Sequence, residues 1–159
     1  MTTSTAPRPA APRAEAARFT VARAFLDGLA AQDFSRIAAT LDDDAHLCAL
    51  LPRGPAEWDG PDHISAAFRQ WFGEVDRFEL VDAVIGDVGP RLHLHWRVRV
   101  QAEERGDGWL VIEQQVYADA GPHGLLSRLS LLCSGFQRET PPGTGAVDLV
   151  PQTSQVSSR

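Results

Sequence analysis

Apolar residues in the first half of the chain recur every three or four positions, which is the spacing of one face of an α-helix. Three such runs predict three helices. The second begins after Asp33, a good N-cap, and the third begins at Pro61. The acidic run at Asp42–Asp44 is expected to end the second helix, and the Pro- and Gly-rich segment around Trp58 to be a loop. The apolar stripes are Phe19, Ala22, Phe25, Leu26 and Leu29, then Phe34, Ile37, Ala38 and Leu41, then Ile64, Ala67, Phe68 and Trp71.

The hydrophobic period becomes two after Gly73, which is typical of strands with one buried face. Gly106-Asp107 marks a hairpin turn. Helices that precede an antiparallel meander indicate an α+β fold. We expect a curved, mixed or antiparallel sheet wrapped around the N-terminal helices as a cone with an internal pocket. Five strands are predicted, at Ala45–Leu51 and at about 77–85, 91–102, 109–118 and 125–136.

Strand parity decides which side chains line the concave face of the sheet. In 91–102 the apolar set, which includes Trp96 and Val98, must face the helices. A hairpin centred on Gly106-Asp107 pairs Trp96 with Tyr117, and directly opposed residues share a face. We therefore predict that Glu113, Gln115 and Tyr117 point into the interior.

Glu113 is the candidate catalytic residue. A carboxyl group in an apolar cone is costly to ionise, so the neutral acid would be favoured and could donate a hydrogen bond to a carbonyl or enolate oxygen. The alternative is a structural role, in which Glu113 binds a buried donor and only shapes the core. The expected ligand-contacting residues are Trp58, Trp96, Val98, Gln115, Tyr117, Leu129 and Leu131.

Other candidate chemistry is sparse. His93 and His95 share one strand face, but parity places them outside and no third ligand is evident, so we expect no metal and no other cofactor. Cys48 and Cys133 do not have the spacing of a disulfide framework or a zinc site. No nucleotide-binding loop or hydrolase elbow occurs.

An apolar band is predicted on the outer face of the sheet, from Ile112, Val116 and Leu132. Exposed bands of this kind mark interfaces, so we expect a homodimer.

Composition narrows the class of protein. The 159 residues carry a formal net charge of −6, and all 15 basic residues are scattered arginines, so no nucleic-acid-binding surface is expected. No stretch approaches the roughly 18 apolar residues of a membrane span, and the N-terminus lacks the apolar region of a secretory signal. We expect a cytoplasmic protein with the arginine- and alanine-rich composition of a high-GC bacterial genome.

The two ends of the chain differ from the middle. Residues 1–14 and 139–159 are rich in Thr, Ser, Pro and Ala and have no apolar period, so they are predicted to be disordered tails. The folded domain is then about 15–138.

Three runs resemble the SnoaL-like branch of the nuclear transport factor 2-like superfamily. They are FLDGLAAQDFSRIAATLDDDAHL, with two helices and a first strand, WDGPDHISAAFRQWF, with the third helix, and GLLSRLSLLCSGF, with the last strand. The resemblance covers about residues 15–138. It implies a cone fold. It also implies one of two functions: chemistry like that of ketosteroid isomerases, polyketide cyclases and limonene epoxide hydrolases, or ligand binding without turnover.

Residue by residue, most catalytic positions of these relatives are replaced here. The first-helix Tyr of ketosteroid isomerases corresponds to Phe25, and their catalytic base to about Ala49. The essential last-strand Asp of cyclases and epoxide hydrolases corresponds to Leu131. The Arg and Asp pair of the hydrolases would fall on the strand that carries Trp96. The oxyanion acid of the isomerases has a counterpart, at about Glu113.

Two hypotheses follow. In the first, the protein binds a small apolar oxygenated metabolite such as a polyketide or terpenoid, with isomerase- or cyclase-type acid–base chemistry by Glu113 and orientation by Gln115 and Tyr117. In the second, it is a non-catalytic accessory or dimerising protein that acts through its outer face. An open pocket that reaches Glu113 would favour the first, and a sealed core the second.

Overall fold

The computed structural model describes residues 11–140. Within this range the chain forms three α-helices and a seven-stranded sheet. The helices are α1 (Ala11–Ala30), α2 (Phe34–Ala38) and α3 (Pro61–Phe72). The strands are β1 (Leu41–Leu51), β2 (Gly54–Asp59), β3 (Arg77–Val88), β4 (Arg91–Gln101), β5 (Leu110–Ala120), β6 (Leu126–Cys133) and β7 (Gln137–Arg138).

The strands form one curved sheet in the order β2-β1-β6-β5-β4-β3. Strands β1 and β6 are parallel, the other neighbours are antiparallel, and β7 pairs with the start of β5 beyond the end of β6. The α+β class and the curved mixed sheet are therefore confirmed. Helix α1 begins at Ala11, so four residues of the predicted N-terminal tail are helical. Residues 1–10 and 141–159, most of the two predicted tails, lie outside the described residues.

Local sequence signals explain where helices α2 and α3 begin. Asp33 caps α2, and its Oδ1 accepts a hydrogen bond from Arg36 N at 2.9 Å. Helix α3 starts at Pro61, as predicted. Two predictions were wrong: the acidic run Asp42–Asp44 lies within β1, and the segment around Trp58 is strand β2. A two-residue turn joins these strands, because Leu51 pairs with Gly54.

The core lies between the concave face of the sheet and the helices. Phe25 of α1, Phe68 of α3 and Trp96 of β4 are fully buried there. Their ring centroids lie 5.4 Å apart for Phe25 and Phe68, and 5.8 and 6.3 Å from Trp96. Burial of large aromatic side chains supplies much of the stability of such a core. No helix in the described part of the chain is long and apolar enough to cross a membrane.

The register of β5 against β4 differs from the predicted one. Val100 lies opposite Leu110 rather than Glu113, a shift of three residues. A 3-10 turn at Glu103–Arg105 takes up residues before Gly106, so the loop is not centred on Gly106-Asp107. Because side chains alternate with a period of two, an odd shift inverts the whole strand.

The inversion moves the predicted site residues to the opposite face. Leu110, Ile112, Gln114, Val116 and Ala118 are buried toward the helices. Glu113, Gln115 and Tyr117 lie on the outer face, so the prediction that they line the interior was wrong. The predicted outer band was wrong for Ile112 and Val116 for the same reason, while Leu132 is exposed, as predicted.

Candidate functional site

Glu113 forms an ion pair on the outer face of the sheet. Its side chain is 40% exposed, and Arg97 lies directly opposite on β4. The Arg97 Nε donates to Glu113 Oε1 at 2.6 Å, and its Nη2 donates to the same oxygen. An exposed ion pair of this kind stabilises a protein little, and the apolar enclosure that would favour a neutral acid is absent. The geometric basis for acid catalysis by Glu113 in the cone is therefore lost.

Gln115 and Tyr117 belong to the same outer surface. The Tyr117 ring stacks on His93, with centroids 4.9 Å apart. The Gln115 Oε1 lies 3.3 Å from His93 Nε2. These two side chains therefore lie on the outer face and do not contact the interior of the cone.

The polar side chain in the middle of the concave face is Gln114. It is 1% exposed and lies opposite Trp96. Trp96 Nε1 donates to Gln114 Oε1 at 2.9 Å, and Gln114 Nε2 donates to Cys133 Sγ at 3.4 Å. Sequence reasoning missed this residue, although a signal existed: a buried indole N–H needs an acceptor, and Gln114 is the polar residue that can face Trp96.

Other buried polar side chains in the described residues serve local structure. Thr40 donates to Ile37 O at the end of α2, and Ser65 donates to Asp62 O within α3. Asp42 accepts a hydrogen bond from the neighbouring backbone N–H of Asp43. The Trp96–Gln114 pair thus differs from them, because it joins two central strands inside the apolar core.

The remaining predicted ligand-contacting residues lie on the concave side. Trp96, Val98, Leu129 and Leu131 are buried, at 0–2% exposure. Trp58 is half-buried at the rim, where its ring meets Trp71 of α3 with centroids 5.6 Å apart. The structure therefore places these side chains in or beside one aromatic and aliphatic interior. Their contact with a ligand stays a prediction.

The positions that the family resemblance assigns to catalysis also lie in this interior. Phe25, Ala49 and Leu131 are all buried, at 0–1% exposure. None of them can exchange a proton. The chemistry available at the centre of the cone is therefore hydrogen bonding by an amide and an indole N–H, surrounded by apolar contacts.

Two grooves lie on the surface of the described residues. One, of about 360 Å³, lies on the outer side where β6 ends, and it reaches Glu113 from that side. Its lining is Leu50, Leu51, Pro52, Glu113, Gln115, Leu132, Cys133 and Ser134. The second, of about 390 Å³, lies against the exposed side of α1 and includes Arg23 and Arg36. In residues 11–140, no group of three or more His, Cys, Asp or Glu side chains could hold a metal ion.

Known proteins with the same fold provide a comparison. The family model described as a SnoaL-like domain matches residues 22–118, more than half of the chain. No curated protein matches.

Solved structures agree with that family match. Bal32a, from a soil-derived mobile gene cassette, is 16% identical and superposes with a TM-score of 0.60 over 77% of this chain and 92% of its own. An LEH-like epoxide hydrolase of M. tuberculosis is 19% identical, with a TM-score of 0.55 over 77% and 84%. AusH from Aspergillus nidulans is 14% identical, with a TM-score of 0.60 over 78% and 88%. At these identities the likeness shows the fold alone, and the family model adds the sequence relationship: the chain belongs to the SnoaL-like family.

Proposed function

We propose that the protein binds a small apolar molecule that carries an oxygen atom, inside the cone and against Trp96 and Gln114. The observation that supports this most is the buried Trp96–Gln114 hydrogen bond in an otherwise apolar interior. Ligand sites are typically apolar with a few polar groups that fix orientation. The fold is shared with an epoxide hydrolase, whose name indicates a small oxygenated substrate.

The side chains at the centre favour binding over acid–base turnover. An amide and an indole donate or accept hydrogen bonds, but neither is a proton-transfer group at neutral pH. After its bonds to Trp96 and Cys133, Gln114 keeps one amide N–H and one oxygen lone pair for a ligand. The amide N–H could donate to a carbonyl, ether or epoxide oxygen.

The interior is filled by tightly packed rings, an arrangement that by itself favours the second hypothesis, so a ligand must displace some of them. Phe25, Phe68 and Trp96 are fully buried and in mutual contact. Trp58 and Trp71 are half-buried at the rim, and the Trp71 ring contacts the buried Phe68 with centroids 5.0 Å apart. We therefore propose entry between β2 and α3, with the two indoles turning aside.

The test is a ligand panel measured by tryptophan fluorescence and thermal shift. The probes are a steroid enone, a monoterpene epoxide and an aromatic ketone. We expect at least one to bind the wild type, and Gln114→Leu to weaken it about tenfold, the value of one hydrogen bond. Gln115→Leu, the matched change on the outer face, should bind like the wild type. The proposal fails if no probe binds, or if Gln114→Leu keeps its affinity within about twofold, since a tenfold loss is the expectation.

A second proposed role, self-association through the outer face, has its own support. Four of the five large apolar side chains that are about half exposed in the described residues have outward parity: Leu50, Val84, Val88 and Leu132. Leu50 and Leu132 lie directly opposite each other on β1 and β6. Val84 and Val88 lie on β3, beyond Gln115 of β5 and His95 of β4. Exposed apolar side chains on one face of a sheet support an interaction site there.

Light scattering at micromolar concentration tests the homodimer. We expect the wild type to have twice the monomer mass and Leu132→Glu to dissociate. Thr20→Glu, on the exposed side of α1, should remain dimeric. A wild-type monomer would exclude this role. The cytoplasmic location and bacterial origin stay predictions of the sequence.

A further inference from the structure

Three side chains form a row across the concave face of three neighbouring strands. Gln114 of β5 lies directly opposite Trp96 of β4 on one side and Cys133 of β6 on the other. Trp96 and Gln114 are fully buried, whereas Cys133 is half-buried at the end of its strand. The amide that the proposed ligand would meet is therefore bounded by an indole and a thiol.

The indole determines which way the Gln114 amide is turned. An indole N–H can only donate a hydrogen bond, so the amide must present its oxygen to it. Trp96 Nε1 donates to Gln114 Oε1 at 2.9 Å, and the amide nitrogen then lies on the side of Cys133. A reversed amide would bring two donors together inside the core and leave both without an acceptor.

The thiol of Cys133 holds the other end of the amide. Its sulfur accepts hydrogen bonds from Gln114 Nε2 and from the backbone N–H of Gly135, each at 3.4 Å. Gly135 follows β6 in a left-handed conformation, with a φ of +74°, and its N–H points back to the sulfur from this turn. The main chain therefore fixes the sulfur, and the sulfur fixes one of the two amide N–H groups.

One amide N–H and one lone pair of the amide oxygen remain for a ligand. These two groups do not converge on one point, so a single hydroxyl group cannot form straight hydrogen bonds with both. A ketone or epoxide oxygen needs only the N–H. An alcohol oxygen can accept from the same N–H, but its own O–H is then buried without an acceptor among apolar side chains, which is unfavourable.

We propose that Cys133 is a positioning residue of the ligand site. By holding one amide N–H of Gln114 it presents the other to the ligand, and the site then selects a ketone or epoxide oxygen over a hydroxyl group. The inference rests on the proposed function and adds a residue that acts through Gln114. Without an acceptor at position 133, only the indole limits rotation about the last side-chain bond of Gln114, a torsion that is intrinsically broad. A rotating amide can offer its oxygen to an alcohol as well as its N–H to a ketone.

The expected selectivity is that of one hydrogen bond. The wild type should bind a ketone about tenfold more tightly than the matched alcohol, because the O–H of the bound alcohol lacks an acceptor. In Cys133→Ala this ratio should fall to within about threefold. Cys133→Ser should keep the ratio near about tenfold, because a hydroxyl oxygen accepts the amide N–H as the sulfur does.

Tryptophan fluorescence titration of the full chain with matched pairs of probes tests this. The pairs are a steroid enone and its allylic alcohol, an aromatic ketone and its benzylic alcohol, and a monoterpene epoxide and a monoterpene alcohol of the same skeleton. The control variant is Cys48→Ala, on the outer face of β1, which should keep the wild-type ratio because Cys48 is exposed and distant from the row. Circular dichroism confirms that each variant is folded.

The outcomes separate this inference from the proposed function. If no probe binds the wild type, both are lost. If probes bind but the wild type does not favour the acceptor oxygen, if Cys133→Ala keeps the wild-type ratio, or if Cys133→Ser loses it, the inference is overturned and the proposed function stands. If Cys133→Ala does not fold, NMR of the Gln114 side-chain amide in the wild type decides. Saturation with the ketone or epoxide should shift one of the two N–H signals far more than the other, and equal shifts overturn the inference.

Discussion

The hydrogen bond between Trp96 and Gln114 can be measured by a double-mutant cycle. Both side chains are essentially unexposed, and the donor–acceptor distance is 2.9 Å. In Gln114→Leu the indole N–H loses its acceptor inside the core, and an unsatisfied buried donor costs about 1–3 kcal/mol. The leucine regains part of this through apolar contacts. We expect a net loss of about 1–2 kcal/mol in the free energy of unfolding.

The partner variants complete the cycle. Trp96→Phe removes the donor but also leaves space beside Phe25 and Phe68, so its cost combines a lost hydrogen bond with a cavity of about 2–4 kcal/mol. In the double variant neither polar group remains, and replacing both partners by apolar groups is nearly neutral for the bond itself. The coupling free energy should therefore be about 1–2 kcal/mol.

Urea unfolding followed by circular dichroism gives the four free energies. Cys133 is kept in all four proteins. The contact of Gln114 with Cys133 is therefore lost equally in the Gln114→Leu single variant and in the double variant. A coupling below about 0.5 kcal/mol would show that the bond contributes nothing beyond packing. A Gln114→Leu variant more stable than the wild type would refute the reasoning that the amide satisfies a buried indole.

Three further predictions concern the stability of the fold, and each is checked by the same urea unfolding measurement. Asp33→Ala should destabilise by about 1 kcal/mol, because the N-cap of α2 loses its bond to Arg36 N; an unchanged midpoint would contradict it. Gly135→Ala should destabilise by about 1–3 kcal/mol, since its φ is +74° and an added Cβ would lie 2.5 Å from Pro52 Cγ; a neutral effect would contradict both the backbone strain and the clash. Glu113→Gln should change stability by less than about 1 kcal/mol, because an exposed ion pair is weak, and a larger loss would mean that Arg97 depends on it.

The helices and the inward side of β4 could be predicted from the sequence because their signals are local. The stripe around Phe25 and the alternation around Trp96 each repeat with the period of their own element. The apolar face of each element is then buried, independently of the sequence elsewhere in the chain. Strand β2 was missed because Pro55 and Gly54 are typical of loops, although both are tolerated at the edge of a sheet.

The candidate site depended on which side chains of β5 face the helices. Two sequence signals bear on this, the position of the turn and the apolar content of the strand, and they conflicted. The Gly106-Asp107 turn favoured an inward Glu113. The apolar content of the strand favoured the other phase, since Leu110, Ile112 and Val116 share the parity of Gln114. Weighing apolar content above turn symmetry would have placed Gln114 inside.

The sequence alone determined the fold class, the three helices and the apolar wall of β4, because short-range periodicity carries that information. Only the tertiary structure decided which side chain of β5 meets Trp96. The loop before β5 is held by distant residues: Asp76 accepts from Glu103 N at 2.7 Å, and Arg138 donates to Asp107 O at 3.0 Å. Those contacts form only when the chain is folded. The loop shifts the register of β5 against β4 by three residues, and because side chains alternate with a period of two, an odd shift exchanges the two faces of the strand.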